Sequence, residues 1–312
     1  MGQLAEENER REYRRGIYSG LLGSFLLGWA PILGKLAYRA EVTSLTLAAL
    51  RTLVAVGLLF LVYLVRWRSL LRLGWRDLLN CLLVGMINGI GSLFYYSGLV
   101  RIDASPASLL STLYAVWVVI FLAAAGQAIG GLTLMRLGIS LLGAVLVTSP
   151  WSTTNPSDYL GSMLLVASAA INGWYMVMGQ WVLADVPARS ATLYILTGMA
   201  ITVSMAWVAG GDVRVTGIAV SGWGAIVALG ITTALSRLAM FFSMERLGGV
   251  QTVILNLLEM VVSLTLAMIL LGESLTWVQW IGALLLVGGG YLARRDVAQG
   301  GAPPPSFNPM DV

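Results

Sequence analysis

Four polar side chains share one face of an otherwise apolar stretch: Thr252, Asn256, Glu259 and Ser263, at i, i+4, i+7 and i+11. A helical period of 3.6 stacks such positions above one another. An ionised acid at the centre of a lipid-facing helix costs about 2.5–3.5 kcal/mol, so the stripe is expected to face the bundle interior or a water-filled cavity. Glu259 is the one acid of fifteen far from a span end. It lies about nine residues in, roughly 14 Å at 1.5 Å per residue, near the membrane midplane. A carboxylate there can hold a substrate ammonium or carry a coupling proton. It can equally pair with Arg51, Arg237 or a backbone group and serve only to join helices. Arg51, two turns inside its own apolar stretch, can bind a carboxylate or pair with an acid. Lys35 and Arg237 lie nearer span ends and are expected to snorkel to water.

Two further stripes carry amides and phenols. Asn88, Ser92 and Tyr95 fall at i, i+4 and i+7, with Gly85, Gly89 and Gly91 alongside. Ser168, Asn172, Tyr175 and Gly179 share another face, with Trp174 adjacent. Either can wall a cavity with hydrogen-bonding side chains, or simply glue small-residue helix contacts at roughly 0.6 kcal/mol per bond. Tyr114 and Trp117 share a face, and Trp29 sits beside Pro31. Deep aromatics offer flat apolar walls and a cation–π surface for an amine, although ordinary core filling is the commoner use of any one ring. Pro31 removes a backbone hydrogen bond and should kink its helix, as a gate hinge or as mere shaping. Trp151, Trp223, Trp277 and Trp280 lie near span ends and read as interfacial anchors.

Absences exclude whole classes. The chain has one cysteine, Cys81, and no histidine. Intrachain disulfides, His-based triads and His metal sites are therefore ruled out. There is no Asp-Asp-x-x-Asp run, no P-loop and no span with a ladder of arginines. No metal and no cofactor are expected, nor is a nucleic-acid partner.

The elements that position these residues are membrane spans. Of 312 residues, 58% are hydrophobic and 11% charged, with a mean hydropathy of +0.82. Ten apolar stretches read as spans: Ile17–Tyr38, Ser44–Val65, Leu78–Val100, Ser105–Gln127, Leu132–Ser149, Tyr159–Leu183, Ser190–Ala209, Val220–Ser243, Val250–Leu271 and Trp277–Ala293. Most reach the roughly 17–25 residues that cross a bilayer, the fifth and tenth being shortest. The first is too long for a signal-peptide core and has no A-x-A site after it. With a cytoplasmic N-terminus, thirteen arginines fall on inner segments and three on outer loops, Arg39, Arg101 and Arg214. The positive-inside rule then puts both termini in the cytoplasm. The expected fold class is an all-α polytopic membrane protein of ten transmembrane helices, in two inverted five-helix repeats around a central cavity. Its units are a cytoplasmic tail (1–16), a first repeat (17–149), a linker (150–158), a second repeat (159–293) and a Pro-rich, disordered cytoplasmic tail (294–312).

A weak internal pattern at an offset of about 145 residues supports the division. Phe94-Tyr95-Tyr96-Ser97 and a later Ala125-Gly126-Gln127 match Met240-Phe241-Phe242-Ser243 and a later Leu271-Gly272-Glu273. Here a family resemblance enters. Gly28-Trp29-Ala30-Pro31-Ile32-Leu33-Gly34-Lys35 resembles the first-span Trp-Gly…Lys pattern of EamA-type transporters of the drug/metabolite transporter superfamily. Leu50-Arg51-Thr52-Leu53-Val54-Ala55 resembles the family's second-span Arg motif. Leu270-Leu271-Gly272-Glu273-Ser274-Leu275 is similar to the hallmark closing the fourth span of a repeat. Three departures stand out. Gln127 replaces the hallmark Glu in the first half, Ala115 and Met260 stand where a mid-span Pro is usual, and Arg51 has no counterpart in the second half.

The resemblance implies that helices one to four and six to nine surround a central cavity, with five and ten outside. It also implies secondary export of small metabolites, most directly neutral or aromatic amino acids, across a bacterial inner membrane by alternating access. Substrate contact is expected at Trp29, Asn88, Tyr95, Tyr114, Trp117, Asn172, Trp174, Tyr175, Asn256 and Glu259. Pro31, Lys35 and Arg51 are the candidates for gating or charge pairing. The expected partners are a small-molecule substrate and the lipid bilayer, and a monomer suffices. A nucleotide-sugar or organophosphate antiporter is the alternative, but it calls for paired deep cations, and only Arg51 reads as deep. A lipid-modifying enzyme would need paired acids, a His or Cys constellation or a metal site, and the chain offers none. The inverted repeat counts against a channel.

Overall fold

The computed structural model describes residues 2–125, 131–148, 156–211, 213, 215, 217–247, 252, 255, 257–285 and 288. Among these residues every regular element is helical. The elements are α1 (Gly2–Leu27), α2 (Ala30–Arg39), α3 (Ser44–Arg66), α4 (Trp75–Leu99), α5 (Ala104–Ser111), α6 (Tyr114–Ala124), α7 (Gly131–Thr148), α8 (Pro156–Asp185), α9 (Ala188–Ala209), α10 (Val220–Leu247) and α11 (Leu257–Leu266). A π-helical turn, Ala267–Leu271, prolongs α11, and backbone 277–285 is helical again. Seven segments among the described residues are long and apolar enough to cross a membrane: Arg11–Arg39, Ser44–Arg66, Trp75–Leu99, Ala104–Ala124, Ser157–Gly179, Ala188–Ala209 and Val220–Leu247. Val65, Met163, Met205 and Ile269 are exposed on such segments or beside them, as apolar side chains facing lipid should be. Gln127, Asn256, most of the linker, the ends of the expected fifth, ninth and tenth spans and the C-terminal tail lie outside the described residues.

Two expected single helices are broken, for different reasons. The first breaks at Gly28–Trp29, and α2 restarts at Ala30 with buried Pro31 in its first turn. Pro31 has no N–H to return to the preceding turn, so the helix ends ahead of it. The fourth breaks at Thr112–Leu113 without any proline. There Thr112 and Leu113 donate backbone N–H groups to the carbonyls of Leu109 and Leu110, both at 3.1 Å, and the Thr112 hydroxyl donates to Leu109 O at 2.7 Å. Tightened i→i+3 bonds and a back-bonding hydroxyl are enough to interrupt a helix. At the N-terminus, the polar stretch expected as a tail is helical from Gly2 and continues directly into the first span.

Helix contacts recur between the halves. α1 lies along α10 as α8 lies along α4, α3 packs on α10 as α9 packs on α4, and α3 meets α9. The close approaches repeat at an offset of 145. A Cβ placed on Gly28 would lie 2.9 Å from the Glu259 carbonyl oxygen, and one on Gly173 would lie 2.9 Å from that of Tyr114. Backbones this close need a residue without a side chain.

Candidate functional site

A cluster of charge and phenol sits where both halves meet. Arg51 on α3 is 6% exposed. Its Nη1 donates to Thr233 Oγ1 on α10 at 3.0 Å and its Nη2 to Ser92 Oγ on α4 at 2.6 Å. Its guanidinium carbon lies 4.4 Å from the centroid of the Tyr96 ring. A buried guanidinium costs several kcal/mol unless paired. Two hydroxyls and a ring face compensate it here, and no carboxylate among the described residues forms an ion pair with it. Its Nε is buried without a hydrogen-bond partner.

Arg237 on α10 does not snorkel as expected. It lies 5.3 Å from the Tyr175 ring centroid, and its Nη1 reaches the Tyr175 hydroxyl at 3.5 Å. Its Nε is also buried and unpartnered. Each arginine acts electrostatically on the other, and Arg237 on Glu259. Glu259 acts in turn on Tyr95 and Tyr96. The Tyr38 hydroxyl donates to Tyr96 O at 2.9 Å, which joins α2 to the group.

Glu259 itself is half-buried. The ion pairs between described residues join Glu12 to Arg15 and to Arg246, each at 2.6 Å near the start of the chain's first helix. Glu259 takes part in none, so a tight ion pair with Arg51 or Arg237 is not formed. Two of its stripe-mates, Thr252 and Ser263, are engaged. The Ser263 hydroxyl lies 2.5 Å from that of Ser108 on α5, and Thr252 Oγ1 donates to Ser243 Oγ at 3.3 Å. The stripe therefore joins helices through its hydroxyls and leaves its acid unengaged.

Arg51, Tyr95, Tyr175 and Glu259 are thus brought together. Asn172 is on the Tyr175 helix, and its Oδ1 is buried without a partner. Other expected residues lie elsewhere. Trp117 stacks on Phe121 at 5.8 Å, and Phe121 meets Trp174 edge-on at 5.1 Å, forming a separate aromatic group at the contact of α6 with α8. Asn88 is buried and donates to Met199 Sδ at 3.3 Å, a helix-packing role against α9. Tyr114 is buried over Gly173, and Trp29 occupies the break between α1 and α2. Sequence reading placed Arg237 among the snorkelling cations and did not single out Thr233. The signal was present: Arg237 stands 145 residues after Ser92, inside a stripe already singled out.

The outer end, in the orientation the charges predict, holds a second polar group. Glu273 receives the backbone N–H of Ala104 and of Ser105, each at 2.8 Å, and the Ser105 hydroxyl at 2.7 Å. A carboxylate on a helix N-terminus satisfies otherwise orphaned donors. Asp103 occupies the N-cap position of α5 yet makes no side-chain cap. The hallmark acid of the second half does that work for the first. Burial, and then the charge of Glu273, hold the Asp103 carboxyl above its usual range, with Lys35 pulling the other way. Beside this group, Arg101, Asp103, Asp158, Trp117, Val166 and Gln279 help to line an open cavity of about 760 Å³. Among the described residues no group of His, Cys, Asp or Glu is placed to hold a metal.

Helices on this scale, doubled, with charge buried where the copies meet, define a polytopic membrane protein built from two repeats. The EamA-like transporter family matches the chain twice, over residues 14–149 and 159–295. The chain belongs to the EamA-like transporter family. A solved structure described as "Crystal structure of protein" shares the fold, with a TM-score of 0.65 at 20% identity over 92% of this chain and 99% of that one. No curated protein matches the sequence.

Proposed function

We propose that the chain is a secondary transporter that exports amino acids across a bacterial inner membrane by alternating access. Two inverted five-span repeats, ten helices in all, would rock about a midplane site, with both termini in the cytoplasm. The observation that carries this reading is Glu259. It is deep and accessible, lies within electrostatic reach of Arg237, and makes no hydrogen bond or ion pair among the described residues. An acid held in that state is costly inside a bilayer and marks a substrate or ion path. The matched contacts of Gly28 and Gly173 support two equivalent bodies able to move against one another. Neutral and aromatic amino acids are the first substrates to try. The tyrosines around Arg51 and Arg237 supply the apolar walls, and Asn172 Oδ1 can accept from an ammonium.

The test is flux by purified protein in liposomes, with labelled amino acids and with or without an imposed pH gradient. Saturable uptake is expected. Uptake without a gradient marks a facilitator, and uptake only with one makes Glu259 the coupling group. No flux of any amino acid overturns the substrate class. One observation favours an organophosphate as second reading: Arg237 joins Arg51 inside the protein, supplying the paired deep cations that the sequence did not reveal.

A further inference from the structure

The cavity of about 760 Å³ beside α5 carries its charges at one end only. Arg101 follows α4, Asp103 precedes α5 and Asp158 lies in the first turn of α8, so all three stand at or just beyond the ends of membrane-crossing segments. Below them the wall formed by α8 runs through Met163, Val166, Ala167 and Ala170 to Trp117 on α6. From Asp158 to Ala170 is twelve residues along the helix, about 18 Å at 1.5 Å per residue. Half of a hydrocarbon core about 30 Å thick is about 15 Å. The cavity therefore descends from headgroup level to the middle of the bilayer, the depth of one leaflet. A Cβ on Gly173, a turn deeper on α8, would lie 2.8 Å from Trp117 Cβ, so α6 and α8 meet there and close the floor. Two residues of the wall, Tyr159 and Met163, are 43% and 70% exposed, so the cavity opens sideways toward lipid.

The second copy of the fold is built differently at the equivalent place. At the offset of 145, Ser162, Ala167 and Ala170 answer to Ile17, Leu22 and Phe25. Arg101 answers to Arg246, which pairs with Glu12 at 2.6 Å. Arg101 forms no ion pair among the described residues, and its Nη1 donates to Ser97 O. Small residues in the wall and an arginine without an acid partner thus occur together, in one copy only. From this we infer that the cavity binds one phospholipid with an ethanolamine headgroup. The phosphate takes the Arg101 guanidinium, whose planar donors suit phosphate oxygens. The ammonium donates to the carboxylates of Asp103 and Asp158, and one acyl chain lies along α8 down to Trp117. Two acids and one base at the mouth favour a headgroup that brings a cation with N–H donors. Phosphatidylglycerol brings no cation to the acids, and phosphatidylcholine brings a cation with no N–H to donate. Neither Arg51 nor Glu259 is among the described residues that line this cavity, so the lipid site stands whether or not amino acids are transported.

The experiment uses the full chain in detergent and reads retained lipid by native mass spectrometry. Phosphatidylethanolamine, phosphatidylglycerol and phosphatidylcholine are added separately, with identical palmitoyl and oleoyl chains. One phosphatidylethanolamine per chain should be held about tenfold more tightly than either other lipid, the worth of one hydrogen bond to a charged group. Asp158→Asn should bring phosphatidylethanolamine down to the level of phosphatidylcholine, and Arg101→Gln should weaken all three. Ala167→Leu with Ala170→Phe installs the side chains that the second copy already carries. That double variant should lose the bound lipid and keep its melting temperature in lipid-free detergent, which separates a filled cavity from a failed fold. If it melts early, the lipid ratio of Asp158→Asn decides alone. Glycerophosphoethanolamine, the headgroup without its chains, should not displace the lipid. Equal retention of the three lipids marks a merely annular layer and overturns the proposal. So does retention unmoved in a stable double variant, displacement by glycerophosphoethanolamine, or a dimer that excludes lipid from this face.

Discussion

The two halves of the molecule repeat their scaffold and not their chemistry. At an offset of 145, Gly28 corresponds to Gly173 and Gly85 to Gly230, and each would bring a Cβ within 3 Å of an atom on the helix it faces. At the same offset Tyr114 answers to Glu259, Ser92 to Arg237 and Leu196 to Arg51. Glycines that set the distance between backbones are held in both copies. Residues that carry buried charge are divided between them, with Arg51 in the first half and Arg237 and Glu259 in the second. Arg51 shows the division directly: one of its hydroxyl partners is in its own half and the other, Thr233, is 182 residues away. The frame is duplicated, and the buried charges set into it are not.

The comparison can be broken first at the glycines. Gly28→Val and Gly173→Val should each cost about 3 kcal/mol by overpacking, read as similar drops in melting temperature of the detergent-solubilised protein. A silent substitution at either position would show that the two interfaces are not equivalent. Next comes the acid that caps α5. Glu273→Ala should remove about 2 kcal/mol by stripping charged acceptors from the start of α5. Glu273→Gln gives the second half the residue type that the first half carries at Gln127, and should lose only part of that. Equal melting temperatures for the three proteins would remove the cap from the account.

The smallest effect concerns Asp103. Its folded carboxyl titrates above the ordinary value of 3.8, so the folded state keeps a proton that the unfolded chain has already lost. Stability therefore falls as pH rises through that window, and the penalty is fully present above it. Asp103→Asn should flatten the melting temperature against pH and raise it slightly at pH 7. An unchanged slope would mean that the carboxyl is not held up by burial and Glu273.

Much of this was legible in the chain. Hydropathy marks the helices because a bilayer accepts only backbones that satisfy themselves, and the family that the motifs pointed to is the one whose model matches both halves. Glu259 and Arg51 stood out because charge in an apolar run is rare. What could not be read depends on side-chain direction and on distant partners. Arg237 looked close enough to a span end to reach water, yet the Tyr175 ring draws it inward. The break after Thr112 has no proline to announce it and rests on hydroxyl and i→i+3 bonds. The Glu273 motif was recognised, but its acceptor role joins residues 168 and 169 positions apart. Local patterns do not encode that separation.

That separation also sets an order of events during synthesis. The start of α5 emerges from the ribosome long before the carboxylate that will receive its N–H groups. At about 5–20 residues per second, the delay is roughly 8–34 s. During that interval the N–H groups of Ala104 and Ser105 lack the acceptor they have in the finished fold. The start of α5 is therefore among the last parts of the first half to find its acceptor, and a chain released before residue 273 leaves those N–H groups without this carboxylate.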